Sequence, residues 1–147
     1  MEPFYQNQWW LPTKFHPKKR PRALKNTVVS GTKENRKNEE AIRTTFLRSF
    51  AQAAGSSSAS AAVLPSWLPH PGHISCSLVF CYKSTNLKKY PYLSRYKGTC
   101  DGDNLEKGVW DALNGVLWDD DSWISEWSGK KIWWKHDGIF MRVAFYQ

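Results

Sequence analysis

Residues 74–82 constrain the fold of this chain most, because apolar and polar side chains alternate along the whole segment. A period of two in hydrophobicity predicts a β-strand with one buried face and one half-exposed face. The predicted buried face consists of Ile74, Cys76, Leu78, Phe80 and Tyr82. A second layer of structure must cover that face, so the neighbouring segments have to supply helices or another sheet.

Two segments with helical spacing can form this layer. The first is predicted to begin near residues 35–38 and to end near residue 54, before Gly55. The second is predicted to run from residue 104 to about residue 117, with Asp103 or Asn104 as its N-cap. The apolar stripe of the first helix is Ile42, Phe46, Leu47 and Phe50, and that of the second is Leu105, Val109, Ala112, Leu113 and Val116.

The C-terminal part of the chain predicts further strands. Residues 123–127 and 131–135 are predicted to pair as a hairpin around a turn at Ser128 and Gly129, and a turn at Asp137 and Gly138 leads into a strand over residues 139–146. We therefore predict an α+β fold, a small mixed and mostly antiparallel sheet with two helices packed on it. A chain of 147 residues fits one domain, 1–147, with an aromatic N-terminal extension at 1–13 and a flexible Ser/Ala-rich loop at 55–66.

Charge is divided unevenly along the sequence. The net charge is +8, yet eight of the thirteen acidic residues lie between Asp101 and Glu126. Residues 14–97 contain sixteen Lys or Arg and three Glu, whereas residues 98–147 contain five Lys or Arg and nine acidic residues. An acidic centre on a basic chain is typical of a metal-dependent nuclease, because cations hold the nucleic-acid backbone and carboxylates hold metal ions.

The acidic centre contains carboxylates that one helix can direct to the same place. Asp101 and Asp103 lie two residues apart just before the second predicted helix, where the helix dipole favours their ionised forms. Two or three aspartates suffice for Mg²⁺, which retains water ligands and phosphate oxygens. Asp121 can be the third ligand only if the chain doubles back after the helix. Lys107, one turn after Asp103, is suited to contact a scissile phosphate.

Besides a magnesium site, the acidic centre could be a solvated helix start or a calcium-binding loop. A solvated helix start with surface carboxylates remains an alternative to a metal site. A calcium-binding EF-hand loop does not fit, because Leu105 stands where that loop needs an oxygen ligand and Gly102 is misplaced for its turn.

The cysteine spacing and the lack of long apolar runs argue against a disulfide-rich, zinc-binding, membrane or secreted protein. Cys76, Cys81 and Cys100 contain no CxxC pair, so a disulfide framework or a zinc site with His70 and His73 is disfavoured and free thiols are predicted. No apolar run is long enough for a membrane helix, and no secretory signal is evident. An intracellular, cytoplasmic protein is therefore predicted.

Three motifs in order resemble the RusA family of Holliday junction resolvases. They are DGDNLEK at residues 101–107, DAL at 111–113 and DD at 120–121, the last followed by Ser122 and Trp123. The family pattern is DxDNxxK, DAL, and DD followed by a polar residue and a short strand. The basic residues 19–22 and the region 28–42 also look like the N-terminal half of the family, so the resemblance covers most of residues 14–147.

This resemblance implies a RusA-like fold and a homodimeric enzyme that hydrolyses a phosphodiester in four-way or branched DNA during recombination and repair. It implies Asp101, Asp103 and Asp121 as catalytic ligands of Mg²⁺, with Mn²⁺ as a substitute, and Lys107 as an essential lysine. A two-fold dimer also suits a junction with paired scissile phosphates. A less selective branched-DNA nuclease and a non-catalytic DNA-binding protein are the alternatives.

Basic residues before the acidic centre are predicted to contact DNA phosphates. We define the basic arm as Lys18, Lys19, Arg20 and Arg22, which lie between and after two prolines that keep the backbone extended. Arg95 and Lys97, in a Tyr-rich loop just before Asp101, are predicted to bind nucleic acid as well. A merely solvated basic loop is the alternative for the arm.

Overall fold

The computed structural model describes residues 1–17, 22–24, 27–29, 32–53, 55, 64–98 and 101–147, with only the backbone described at 22–24, 27–29 and 32. The basic arm therefore lies outside the described residues, except for the backbone of Arg22. Residues 56–63 of the predicted Ser/Ala-rich loop also lie outside the described residues. The elements in chain order are β1 (Tyr5–Leu11), β2 (Arg22–Leu24), β3 (Thr27–Val29), α1 (Thr32–Ala53), β4 (Ile74–Lys83), α2 (Gly102–Leu113), a short 3₁₀ helix (Asp121–Trp123), β5 (Ile124–Trp134) and β6 (Gly138–Phe145).

A four-stranded sheet in the order β1-β6-β4-β5 forms the centre of the fold. β4 pairs antiparallel with β6 and parallel with β5, and β1 pairs antiparallel with β6. The short strands β2 and β3 form a separate antiparallel pair. The predicted α+β class is thus confirmed, including a mixed and mostly antiparallel sheet with two helices.

The core lies between one face of this sheet and the two helices. The predicted alternation in β4 is confirmed from Ile74 to Phe80, because Ile74, Cys76, Leu78 and Phe80 are all buried in the core. It ends there, since Cys81 of the opposite face is buried and Tyr82 is only partly buried. The apolar stripe of α1 packs on the same core, with Ile42 and Phe46 fully buried and Leu47 and Phe50 partly buried. Within the predicted aromatic extension, β1 contributes Trp9 and Leu11, which are also buried.

Close packing of α1 on α2 fixes the second helix over the sheet. Gly108 lies in the contact, and a Cβ atom at this position would lie 3.3 Å from Nδ2 of Asn38. Asn38 in turn donates to the His16 carbonyl at 3.1 Å and accepts from the His16 backbone N–H at 3.0 Å. Arg43 Nε donates to the Ala112 carbonyl at 2.8 Å, which satisfies one of the last carbonyls of α2.

The predicted C-terminal hairpin is wrong. Ser128 and Gly129 do not form a turn but lie in the middle of the continuous strand β5, which pairs in parallel with β4 along the length of both strands. The reason is tertiary: β4 offers a free edge for a long ladder, and Ser128 donates a hydrogen bond to Ser77 of β4 at 2.9 Å. β6 follows Asp137 as predicted, but it lies on the other side of β4 from β5.

Both helix boundaries also differ from the prediction. α1 begins at Thr32, a few residues before the predicted start. α2 begins at Gly102 with Asp101 as its N-cap, so Asp103 and Asn104 lie within the first turn. It ends at Leu113, because Gly115 adopts a positive φ of 76° that starts a turn. In the described part of the chain, no helix is long and apolar enough to cross a membrane.

Candidate active site at the start of the second helix

The first turn of α2 presents two carboxylates to solvent. Asp101 has an extended backbone (φ −68°, ψ 128°), and its carbonyl accepts the first helical hydrogen bond from Leu105 N–H at 3.1 Å. The Asp101 side chain does not cap the helix, and Asn104 Nδ2 approaches its Oδ2 at 3.5 Å. Because Leu105 and Val109 are buried, the opposite side of the helix, with Asp103, faces outward. Unpaired N–H groups at a helix start favour negative charge at this point.

Lys107 connects α2 to the segment before β5. Its Nζ donates a hydrogen bond to Asp121 Oδ2 and forms an ion pair with Asp111 Oδ1 at 3.2 Å. The side chains of Asp111 and Asp121 are only 15% and 17% exposed, whereas that of Lys107 is 45% exposed. Burial alone would lower the pKa of Lys107, but the hydrogen bonds and charges of Asp121 and Asp111 raise it above its usual value. Lys107 is therefore held as an ammonium ion between two carboxylates.

The return of the chain to Lys107 depends on a buried tryptophan. Trp118 is fully buried, and its Nε1 donates to the Trp110 carbonyl at 3.1 Å. The turn before it is closed by a hydrogen bond from Gly115 N–H to the Trp118 carbonyl at 2.7 Å. Asp121, three residues after Trp118, contacts Lys107 of α2, so the doubling back required for its predicted role is present.

The three consecutive aspartates have different surroundings. Asp119 and Asp120 are exposed, whereas Asp121 is partly buried. Asp120 is the N-cap of the 3₁₀ helix, where its Oδ1 accepts from Ser122 N–H at 2.8 Å. Hydrogen bonds from Ser122 lower the pKa of Asp120. Of the three, Asp121 is the residue whose side chain contacts α2.

Glu106 is a carboxylate that the sequence did not indicate as part of the site. Its side chain lies over Gly129 of β5, where a Cβ atom would collide with the Glu106 carboxylate. Burial and the nearby charge of Asp103 both raise the pKa of Glu106. A glycine in mid-strand thus makes room for an acidic side chain beside the predicted site. Asp111, which the sequence analysis named only within the DAL motif, lies four residues after Lys107 on α2, and the structure adds their ion pair.

The donor atoms fit a hard divalent cation, since carboxylate oxygens are the ligands that Mg²⁺ and Mn²⁺ take from proteins. The structure joins Lys107 to Asp121 and Asp111, and places the charge of Asp103 near Glu106. Among the described residues, it does not gather three or more acidic, Cys or His side chains as a ready metal-binding group. Metal binding by Asp101, Asp103 and Asp121 therefore stays a prediction.

The predicted DNA-binding residues are placed only in part. Arg95 and Lys97 are exposed and line a cavity between the loop before α2 and the strand β5. The side chains of the basic arm are outside the described residues. Cys76 and Cys81 are free and buried, and burial raises their pKa values to about 12 and about 11. Cys100 is outside the described residues.

Comparison with known families gives one match over nearly the whole chain. The family model described as endodeoxyribonuclease RusA matches residues 12–144. This range includes α1, α2, β4, β5 and all of β6 except Phe145, together with all the predicted catalytic residues. No curated protein matches the chain. The match with the RusA model agrees with the motif order around α2, and the chain belongs to the RusA endodeoxyribonuclease family.

Proposed function

We propose that this protein is a metal-dependent endodeoxyribonuclease that resolves Holliday junctions by hydrolysing phosphodiester bonds, in DNA recombination and repair. The observation that carries the proposal is the contact of Lys107 with both Asp111 and Asp121, on a helix that begins with the exposed Asp101 and Asp103, in a chain of the RusA family. The site combines a fixed cation with carboxylates that remain accessible to metal and substrate.

In this proposal Asp101, Asp103 and Asp121 hold Mg²⁺ or Mn²⁺. The bound ion would activate water and stabilise the leaving oxygen. Asp101 and Asp103 are suited to this role because they are exposed at a helix start and so remain accessible to a metal ion and to substrate.

Lys107 supplies positive charge to the scissile phosphate. A lysine ammonium has three N–H donors, and two of them are directed at Asp111 and Asp121. The third is then available for a phosphate oxygen on the exposed side of the ammonium. Asp111 acts as a positioning residue, because its ion pair one turn along α2 restrains the flexible lysine side chain. A donor fixed in this way stabilises developing charge without reorganisation.

DNA binding is assigned to basic residues outside the acidic site. The basic arm together with Arg95 and Lys97 would contact phosphates and so hold the junction against the acidic site. We further propose a homodimer, because one catalytic cluster cannot face two symmetric phosphates at once. An enzyme with this substrate would act in the cytoplasm and would be nucleoid-associated when on DNA.

A substrate panel tests the proposal. Purified protein is incubated with a synthetic four-way junction, a flap and a linear duplex, each with Mg²⁺ or with a chelator, and Asp121→Asn provides an inactive control. We expect Mg²⁺-dependent cleavage of the junction in preference to the other substrates. Equal cleavage of flap and junction would favour the less selective nuclease, and binding without cleavage would favour a non-catalytic DNA-binding protein.

A further inference from the structure

A cavity of about 540 Å³ lies between the loop before α2 and the C-terminal half of β5. Three aromatic residues, Tyr90, Tyr96 and Trp133, line it together with three cations, Lys89, Arg95 and Lys97. This volume is in the range of sites that bind small organic groups. We call the three rings the aromatic platform.

The rings of the aromatic platform support each other. Tyr90 stacks on Trp133 with ring centroids 4.5 Å apart and an angle of 29° between the planes. Tyr96 meets Trp133 edge to face at 4.7 Å, and its own ring stacks on Tyr82 at 3.6 Å with an angle of 5°. All three platform residues are partly buried, so each ring has a packed portion and an exposed portion.

The backbone under the aromatic platform is tied to β5. Leu93 N–H donates to the Trp133 carbonyl at 2.9 Å, and Trp133 N–H donates to the Ser94 carbonyl at 2.9 Å. Tyr96 N–H donates to the Lys131 carbonyl at 3.1 Å. These bonds extend the sheet by a short irregular segment and fix the rings before any ligand arrives. Such preorganisation reduces the entropic cost of binding.

The charges around the cavity fit a polyanion. Lys89, Arg95 and Lys97 are exposed, and none of the described residues that line the cavity is a carboxylate. Lys89 Nζ lies 5.2 Å from the centroid of the Tyr90 ring. Aromatic rings with cations beside them form the usual arrangement for single-stranded nucleic acid, in which bases stack on the rings and phosphates contact the cations.

The aromatic platform faces the same side of the sheet as the candidate active site. Glu106 of α2 lies over Gly129, and Trp133 is four residues further along β5. Side chains separated by an even number of residues share a face of a strand, and four residues span about 13 Å. At about 3.4 Å per nucleotide, this distance corresponds to about four nucleotides of stacked DNA.

We propose that the aromatic platform binds one unstacked nucleobase of the strand that enters the active site, about two to five nucleotides from the scissile phosphate. This inference rests on the proposed function and adds a base-binding subsite to it. The subsite would stabilise a locally opened DNA strand, such as one at the exchange point of a junction, in preference to a continuous duplex.

An abasic scan combined with platform variants tests the subsite. Junctions in which one nucleotide at a time lacks its base keep every phosphate but remove a single stacking partner. Their affinities are measured without Mg²⁺ for the wild-type protein, Tyr90→Ala, Trp133→Leu and the ring-retaining control Tyr90→Phe. Tyr92→Ala is the matched control, because Tyr92 is an exposed tyrosine of the same loop that does not line the cavity. Thermal melting identifies any variant that fails to fold.

We expect one abasic position near the cut to weaken wild-type binding by about 5- to 150-fold, the range for stacking of one base on aromatic side chains. The same abasic position should have little further effect in Tyr90→Ala or Trp133→Leu, whereas Tyr90→Phe and Tyr92→Ala should respond like the wild type. If removing the base weakened binding by the same factor in the platform variants as in the wild type, base and platform would act independently, and the subsite would be overturned. If junctions are still cleaved in that case, the proposed function stands; failure to bind or cut any junction would overturn both.

Discussion

Replacing Lys107 by Met keeps most of the side-chain length but leaves Asp111 and Asp121 without their shared cation. Both carboxylates are more than four-fifths buried, so each loses a charge-assisted hydrogen bond or ion pair that solvent replaces only in part. An unsatisfied buried polar group costs about 1–3 kcal/mol. Because Lys107 itself is 45% exposed, solvent screening reduces the effect, and we expect a loss of about 1–2 kcal/mol. For a domain of this size, this corresponds to a fall in Tm of about 2–8 °C.

The stability deficit of Lys107→Met should depend on pH. Both carboxylates contact the same nitrogen atom in the wild type, so without it two like charges remain close together. Two neighbouring carboxylates repel each other only while both are ionised, and burial adds to the cost of holding both charges. Protonation at low pH removes this cost, so the deficit becomes smaller as the pH falls. The Tm difference from the wild type should thus be smaller at pH 4.5 than at pH 7.5, in buffer with a chelator.

Lys107→Met should also lower the rate of cleavage, by far more than its loss of stability accounts for. Removing one fixed donor to developing charge lowers turnover by about 100- to 1,000-fold. Junction affinity should change only a few-fold, because Lys107 is one of many cations that bind the DNA phosphates. Single-turnover cleavage and gel-shift binding at a temperature well below the Tm measure both quantities. Lys107→Arg, which keeps the charge, and Lys130→Met, which removes an exposed lysine of β5, are the controls. A parallel fall in binding and cleavage in Lys107→Met would refute the assignment of Lys107 to the transition state.

Three further predictions concern other parts of the molecule. Asp101→Asn, Asp103→Asn and Asp121→Asn should each abolish cleavage and still bind junctions, and near wild-type cleavage by any of them would remove that residue from the site. Neutralising the basic arm should weaken binding and flatten the slope of log affinity against log salt by about one unit for each phosphate that the arm no longer neutralises, whereas an unchanged slope would show a merely solvated arm. Because the pKa values of Cys76 and Cys81 are about 12 and about 11, at most one of the three cysteines should react with a thiol reagent at pH 8 before the protein unfolds.

The parts of the fold that follow from local periodicity were predictable. The alternation in β4 from Ile74 to Phe80 and the apolar stripes of α1 and α2 mark segments that pack on the core of the structure. The error at β5 arose because Ser128 and Gly129 have turn propensity, while their actual conformation depends on a parallel partner strand distant in sequence. Gly129 serves here to make room for Glu106, which is a tertiary requirement that local sequence does not reveal.

In the candidate site, the part that lies on α2 was predictable from the sequence, but the contact with the segment before β5 was not. The spacing of Asp103, Lys107 and Asp111 places them on one side of a helix, and the helical period alone gives this result. The contact between Lys107 and Asp121 depends on the buried Trp118 and the turn at Gly115, neither of which has a local signature of its role. The sharing of the Lys107 ammonium between two carboxylates could therefore be found only in the structure.

Resolution of a junction by two coordinated cuts can be measured on a supercoiled plasmid with an extruded cruciform. Two paired cuts across the junction within one binding event give linear plasmid, whereas a single cut gives a nicked circle. We predict Mg²⁺-dependent formation of linear product with symmetric nicks on opposite strands, by a protein that sediments as a homodimer. Accumulation of nicked circles alone, by a protein that sediments as a monomer both free and on junction DNA, would contradict resolution by a dimer of this chain.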